Sequence, residues 1–220
     1  MIKQNILVAV DDVIFTIIND KLEVLLVKRW VEPFKWQWAI PGGFVLDNES
    51  LDEAAYRELK EETNISDVYL EQLYTFGDPN RDPRGHVVAV SYLALTPREK
   101  VSLKAGSDAQ EAKFFPINKL PKLAFDHKDI IKLALERLRG KLTYSNIAKF
   151  LLPEKFTLTQ LQKVYEIILE RELDTRNFRK KIEKLWIIEP TWEKEVGVNH
   201  RPALLYKFKH DKLVYLHEFL

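Results

Sequence analysis

The stretch "GGFVLDNESLDEAAYRELKEETNI", residues 42–65, sets Glu49, Asp52, Glu53, Glu58, Glu61 and Glu62 within fourteen positions of one helix and its lead-in. Ser50 and Glu53 form S-x-x-E ahead of an apolar-periodic run, a capping box that starts a helix at about Leu51. Leu51, Ala55 and Leu59 share a face suited to packing on a sheet. Glu58, Glu61 and Glu62 stand at i, i+3 and i+4, so their carboxylates converge on another face. Like charges at that spacing repel by about 0.2–0.5 kcal/mol per pair when exposed. A bound divalent cation reverses the sign. Hard carboxylate oxygens suit magnesium or manganese, which also bridge phosphate oxygens. Arg57 is placed to pair with Glu61 or a neighbouring carboxylate and steady the group. An acid-rich helix is ordinarily a solvated surface, so the pattern around it decides.

With 220 residues the chain has room for one large domain or two modest ones. No apolar run approaches the roughly 18 residues of a membrane span, and "MIKQNILVAVDDVIF" meets acids too early for a secretory leader. The absence of cysteine excludes disulfides, thiol catalysis and Cys-ligated zinc. These features point to a cytoplasmic protein. The net charge of +1 hides an asymmetry: residues 146–220 hold 14 Lys/Arg against 11 Asp/Glu (+3), leaving 20 against 22 (−2) elsewhere.

Residues 6–18 and 22–28, separated by "NDK", predict an antiparallel hairpin. "WAIPGGF" predicts a short strand running into a Gly-rich loop, and "VYLEQLYTF" and "HVVAVSYLAL" predict strands joined by the polar "GDPNRDPRG". "EAKFFPINKLP" reads as a strand and turn, and "DHKDIIKLALERLRGK" as a helix opened by Asp126 and closed by Gly140. Further on, "SNIAKFLL" is a short helical piece and "TLTQLQKVYEIILERE" a helix capped by Thr157 or Thr159. "DTRNFRKKIEKL" is another, capped by Asp174 or Thr175, and "WIIEPTW" and "PALLYKF" are strands flanking "EKEVGVNHR". Three helices and a two-stranded ribbon are the order of a winged helix-turn-helix. The expected organisation is an α/β (α+β) domain with mixed sheet over residues 1–142 and a small winged helix over 143–220.

Gly43, five residues, Glu49, seven residues and "RELKEETNI" follow the pattern G-x5-E-x7-R-E-U-x-E-E-x-G-U, where U is aliphatic. In this the chain resembles the Nudix hydrolase superfamily. Asn64 stands where the family has Gly, at the residue after the helix, where the left-handed conformation is needed and Asn is the next best choice. The resemblance implies a Nudix fold and hydrolysis of a nucleoside diphosphate linked to another moiety. It implies Glu58, Glu61 and Glu62 as ligands of Mg2+ or Mn2+, with a carbonyl of the Gly42–Gly43 turn beside them. Glu61 and Arg57 then belong to the catalytic set, and the general base is left among Glu53, Asp108 and Glu111. "KWQWAIPGGF", "LLVKRW" and "YTFGDPNRDPRGHVVAVSY" look like the ADP-ribose-handling branch. On that likeness Trp36 or Trp38 would meet adenine, unless they are core tryptophans, and Arg29, Arg81 and Arg84 would meet phosphate.

In the tail, Arg171, Arg176, Arg179, Lys180, Lys181 and Lys184 outnumber Glu172, Asp174 and Glu183, while Phe178, Ile182 and Leu185 keep an apolar stripe. Such a helix offers an anchored face and a basic, amide-bearing one to DNA. Arg176 and Asn177, near its start, are placed to reach bases, Lys180 to meet phosphate and Arg179 to contact DNA beside them, and His200 and Arg201 lie in the wing. A Nudix domain followed by "FTLTQLQKVYE", "RNFRKKI" and "HRPALLYKF" is similar to the Nudix-related transcriptional regulators of the NrtR type. That resemblance implies a homodimer binding double-stranded DNA under control of ADP-ribose or a related nucleotide sugar. A dedicated ADP-ribose or ADP-sugar pyrophosphohydrolase, its tail serving dimerisation or substrate gating, is the alternative.

Overall fold

A computed structural model describes residues 5–63, 68–101, 109–199 and 201–216, with side chains 62, 63, 109 and 110 also outside the description. By their contacts these residues form two compact units. One comprises residues up to Thr16 with Leu22–Thr96 and Lys100–Leu135, the other Ile17–Lys21, Pro97–Glu99 and the chain from Glu136.

The first unit is built on a seven-stranded mixed sheet. Strands β1 (Leu7–Ile18) and β2 (Lys21–Arg29) form the expected hairpin. Asn19 and Asp20 between them both have positive φ, 48° and 59°, as a two-residue type I′ turn requires. β1 runs parallel to β6 (Val87–Leu95), which pairs antiparallel with β5 (Tyr69–Phe76). On the other side β2 pairs with β3 (Trp38–Ala39) and with β7 (Ala109–Pro116). Buried on both faces, β1 reads as a continuous apolar run interrupted by Asp11 and Asp12.

"WAIPGGF" departs from the expected strand and loop: the glycines themselves form a strand, β4 (Gly42–Phe44), antiparallel to β1. Gly42 has φ 154°, and a Cβ there would lie 2.2 Å from the Val10 carbonyl oxygen, so only glycine lets the two backbones approach. Helix α1 (Leu51–Thr63) begins as predicted, with Glu53 accepting from the Ser50 amide and hydroxyl, both at 2.8 Å. It lays Ala54 and Ala55 on Val10, Val90 and Tyr92. Asn64 lies outside the described residues.

Helix α2 (His127–Tyr144) starts beside Asp126 and runs past Gly140. The buried stripe Ile130, Ala134, Leu138 and Leu142 carries it through. That burial outweighs the roughly 1 kcal/mol a mid-helix glycine costs against alanine. The division between units falls inside this helix, at Leu135 and Glu136. In the second unit a 3-10 turn (Ile147–Leu151) leads to α3 (Leu158–Leu169), where Thr157 and Gln160 form a complete capping box. α4 (Thr175–Lys184) follows, capped by Asp174, then the ribbon of β8 (Ile188–Lys194) and β9 (Leu204–Phe208). None of the helices is long and apolar enough to cross a membrane among the described residues.

Candidate active site and nucleic-acid interface

Arg57, on the second turn of α1, organises the acids around it. Its Nε and Nη2 donate to Oε2 and Oε1 of Glu49 at 2.9 and 2.7 Å, and Nη2 also reaches the Phe44 carbonyl at 3.1 Å. Nη1 donates to Glu58 at 2.5 Å and lies 3.5 Å from Glu61. The charge-assisted bonds from Arg57, helped by the Leu46 amide, hold Glu49 down to about 2. Burial pushes Glu58 above the usual carboxylate range; Arg57 opposes this, and the charges of Glu61 and Glu49 add to it. Gly43 makes room for that carboxylate: a Cβ there would lie 2.2 Å from Glu58 Oε1. Glu61 is largely exposed. The Glu62 side chain and Asp108 lie outside the described residues.

Arg57, Glu58 and the two box glycines form one side of a cleft of about 280 Å³ confined to the first unit. Arg29, Arg81 and Arg84 line it as well. Their states differ. Arg84 stands over the rings of Phe44 and Phe125, with Cζ at 4.7 and 5.5 Å from the centroids, and pairs with Asp82 at 2.6 Å. Arg29 lies over Phe125 at 5.0 Å and donates from Nε to the Pro33 carbonyl at 2.8 Å. The Arg81 side chain is only 4% exposed and grips Asp126 with bonds of 2.9 and 2.7 Å, with Asp11 at 3.1 Å. It is a fixed part of the floor, not a free phosphate ligand, because its guanidinium is committed to two carboxylates.

Four other expected residues fall outside the lining. Trp38 packs edge-on to Phe115 at 4.7 Å beneath Lys28, because its strand turns the indole away from the cleft. Trp36, half exposed, stacks edge-on to Trp30 at 4.7 Å. Glu53 gives its carboxylate to the capping box, and the Ser50 bonds hold it below the usual range, a poor state for a base. Glu111 is exposed on β7 and is not among the lining residues.

Asp11, Asp82, Asp126, His127, Phe44 and Phe125 were not expected at the site. Asp11 and His127 are both buried in the cleft floor. Burial pushes Asp11 up to about 6, against the opposing Arg81, and pushes His127 down to about 3. Two acids inside the apolar run "VAVDDVIF" were the available signal, since buried charge must be paired.

The second unit holds α4 on the rest through Phe178 and Ile182, with Phe178 edge-on to Tyr165 of α3 at 5.3 Å. Gln162 Nε2 donates to the Glu166 carboxylate and the Leu173 carbonyl, both at 2.9 Å, fixing the turn between the helices. Arg176, Asn177, Arg179 and Lys180 all lie exposed on α4. Arg201, also exposed, precedes β9, and His200 lies outside the described residues. The wing is tied down by Phe156, which pairs with Tyr206 and packs on Phe208 at 5.0 Å.

Residues 9–134 match the NUDIX domain family, and residues 148–208 match the family described as the NrtR DNA-binding winged helix domain. The chain is 37% identical over 206 residues to the ADPR responsive transcriptional repressor NtrR of Acinetobacter baylyi, spanning 92% of this chain and 82% of that one. It is 47% identical over 116 residues to an ADP-ribose pyrophosphatase of Methanocaldococcus jannaschii, 53% of this chain and 68% of that one. It superposes on the crystal structure of Shewanella oneidensis NrtR complexed with a 27mer DNA with a TM-score of 0.84 at 35% identity, covering 97% of this chain and 99% of that one.

Proposed function

The chain belongs to the Nudix family and, within it, to the NrtR-type transcriptional regulators, and from that premise we propose that it is an ADP-ribose-responsive repressor that retains a hydrolase site. One observation carries the reading. The Arg57–Glu49–Glu58 constellation faces a cleft in one unit, while the other exposes a basic helix locked to its neighbour.

The repressor of Acinetobacter baylyi supports ADP-ribose as the effector, and the DNA-bound Shewanella structure supports duplex DNA as the target. A homodimer acting in the cytoplasm follows from the same reading, because helix-turn-helix proteins read two half-sites about one helical turn apart.

Glu58 and Glu61, turned toward one guanidinium beside the Gly43 backbone, are hard oxygen donors that suit Mg2+ or Mn2+, and Glu62 completes the motif. A divalent ion there supplies phosphoryl polarisation and an acidified water. The chain's own residues do the rest. Arg57 holds Glu49 and Glu58 in place, and Gly43 admits the Glu58 carboxylate against the turn. Arg84, partly exposed and stacked on two rings, offers positive charge to a phosphate.

The test is a gel-shift titration of the full chain on its own upstream DNA, with and without ADP-ribose, run beside a hydrolysis assay with Mg2+ or Mn2+. ADP-ribose should release the DNA, and metal-dependent turnover should accompany it. Turnover without any DNA binding would favour the second reading, a dedicated ADP-ribose pyrophosphohydrolase, which the relative of Methanocaldococcus jannaschii supports. DNA binding indifferent to ADP-ribose would remove the effector from the proposal.

A further inference from the structure

We infer that Asp11 and His127 form a hydroxyl-reading pair on the floor of the cleft, holding one sugar hydroxyl of a nucleoside diphosphate sugar between a carboxylate acceptor and an imidazole donor. The inference rests on the ligand reading above and adds the residues that select the ligand.

The geometry assigns a direction to each group. His127 Nδ1 accepts the Ile40 amide at 3.0 Å, so the neutral ring carries its proton on Nε2. Burial favours that neutral form. Nε2 lies 3.8 Å from Asp11 Oδ1, beyond direct hydrogen-bond reach. The other carboxylate oxygen of Asp11 accepts from Arg81 at 3.1 Å. A single oxygen placed at about 2.8–3.0 Å from both groups can accept from Nε2–H and donate to Oδ1. That is the bonding of a hydroxyl group, which a bound water can hold and a sugar alcohol can take over. A phosphate oxygen has no proton to give Asp11, and a carbonyl oxygen has none either.

The pair is rigid. Arg81, which holds Asp11, is itself held by both oxygens of Asp126, and His127 is fixed by the β3–β4 backbone at Ile40. Groups held in advance lose little freedom when a ligand arrives. The pair is also near the diphosphate end. Asp11 stands opposite Gly42 in the β1–β4 register, and the next glycine abuts the Glu58 carboxylate. On the ligand reading, a group beside the glycine turn that abuts Glu58 meets what is attached to the phosphates, which in a nucleotide sugar is a sugar.

Calorimetry on the full chain in EDTA, where turnover is blocked, separates the possibilities. The ligands are ADP-ribose and its analogues, each lacking one hydroxyl of either ribose. One analogue should bind the wild-type protein about tenfold or more weakly, the loss expected when a hydrogen bond to a charged group is removed. D11N should weaken ADP-ribose and leave that analogue unchanged, so that the two bind alike, and H127Q should also erase part of the preference. Equal affinity of the wild-type protein for ADP-ribose and every analogue overturns the inference, with or without folded variants. Failure of ADP-ribose itself to bind overturns the ligand reading, and the pair's assignment with it.

Discussion

Arg57 grips Glu49 through two parallel bonds, Nε to Oε2 at 2.9 Å and Nη2 to Oε1 at 2.7 Å, across the bend that leads into α1. This two-pronged pairing couples the loop after β4 to the helix that carries Glu58 and Glu61. It explains why an acid eight residues before the arginine belongs to the motif although it is not one of the clustered ligands. The folded Glu49 carboxyl lies at about 2, below its ordinary 4.5. A depressed carboxyl contributes stability that is present above the unfolded value and lost as pH falls through the folded one. E49Q should therefore melt below wild type at pH 7, with the gap closing between about 4.5 and 2. Thermal melts across that range check it. A constant gap would mean that the contact acts through packing and not through charge.

G43A should damage the site while sparing the fold. Its Cβ would lie 2.2 Å from Glu58 Oε1, and a carboxylate can swing aside where backbone cannot. The displaced Glu58 loses its alignment with Arg57 and its place beside the turn. Metal-dependent turnover should fall by orders of magnitude, with a melting temperature within a few degrees of wild type. G77A is the control, since its Cβ meets only Val88 Cγ2 at 3.8 Å, an ordinary contact. Equal turnover in both variants would detach Gly43 from the chemistry.

His127 predicts an acid liability. Its folded value near 3 lies below its ordinary 6.5, so the unfolded chain binds the extra proton first. Stability then falls as pH drops from 6.5 toward 3, by up to about 1.4 kcal/mol per pH unit. Asp11 works in the opposite sense. Raised from 3.8 to about 6, it favours the folded state as pH falls through that interval. H127Q removes only the first effect, so the variant should gain on wild type steadily below pH 6.5. Urea denaturation at several pH values measures the difference, and a gap that does not widen toward acid would refute the burial of a neutral imidazole.

The box was legible because its chemistry demands fixed spacing on one helix, and the winged helix because caps and apolar stripes are local signals. The cleft floor was not. Arg81 reaches Asp126 across 45 residues and Asp11 across 70, and only the folded chain brings them together. Arg81 looked like a free cation for that reason. Gly140 looked like a helix end because its own preference is local, whereas the burial of Leu138 and Leu142 that overrides it depends on the fold. Trp38 looked like a ligand platform, yet the side of the sheet a short strand presents is not set by composition.

The exposed face of α4 should divide its labour by chemistry. Phe178 and Ile182 are buried, which turns Arg176, Asn177, Arg179 and Lys180 outward together. A side-chain amide reads base edges in two directions at once, whereas an ammonium acts on any phosphate as a point charge. N177A should therefore flatten the preference between operator and random duplex, each lost base contact being worth about 1–3 kcal/mol. K180A should instead weaken both duplexes alike and reduce the slope of log affinity against log salt by about one. The positions differ also in how they are held. Asp174 accepts the Asn177 amide at 2.9 Å, so D174A frays the first turn and should reduce specificity without changing the salt slope. Fluorescence anisotropy on the two duplexes at several salt concentrations distinguishes these outcomes. Identical losses on both duplexes for N177A and K180A would mean that α4 lies along the backbone and does not read the groove.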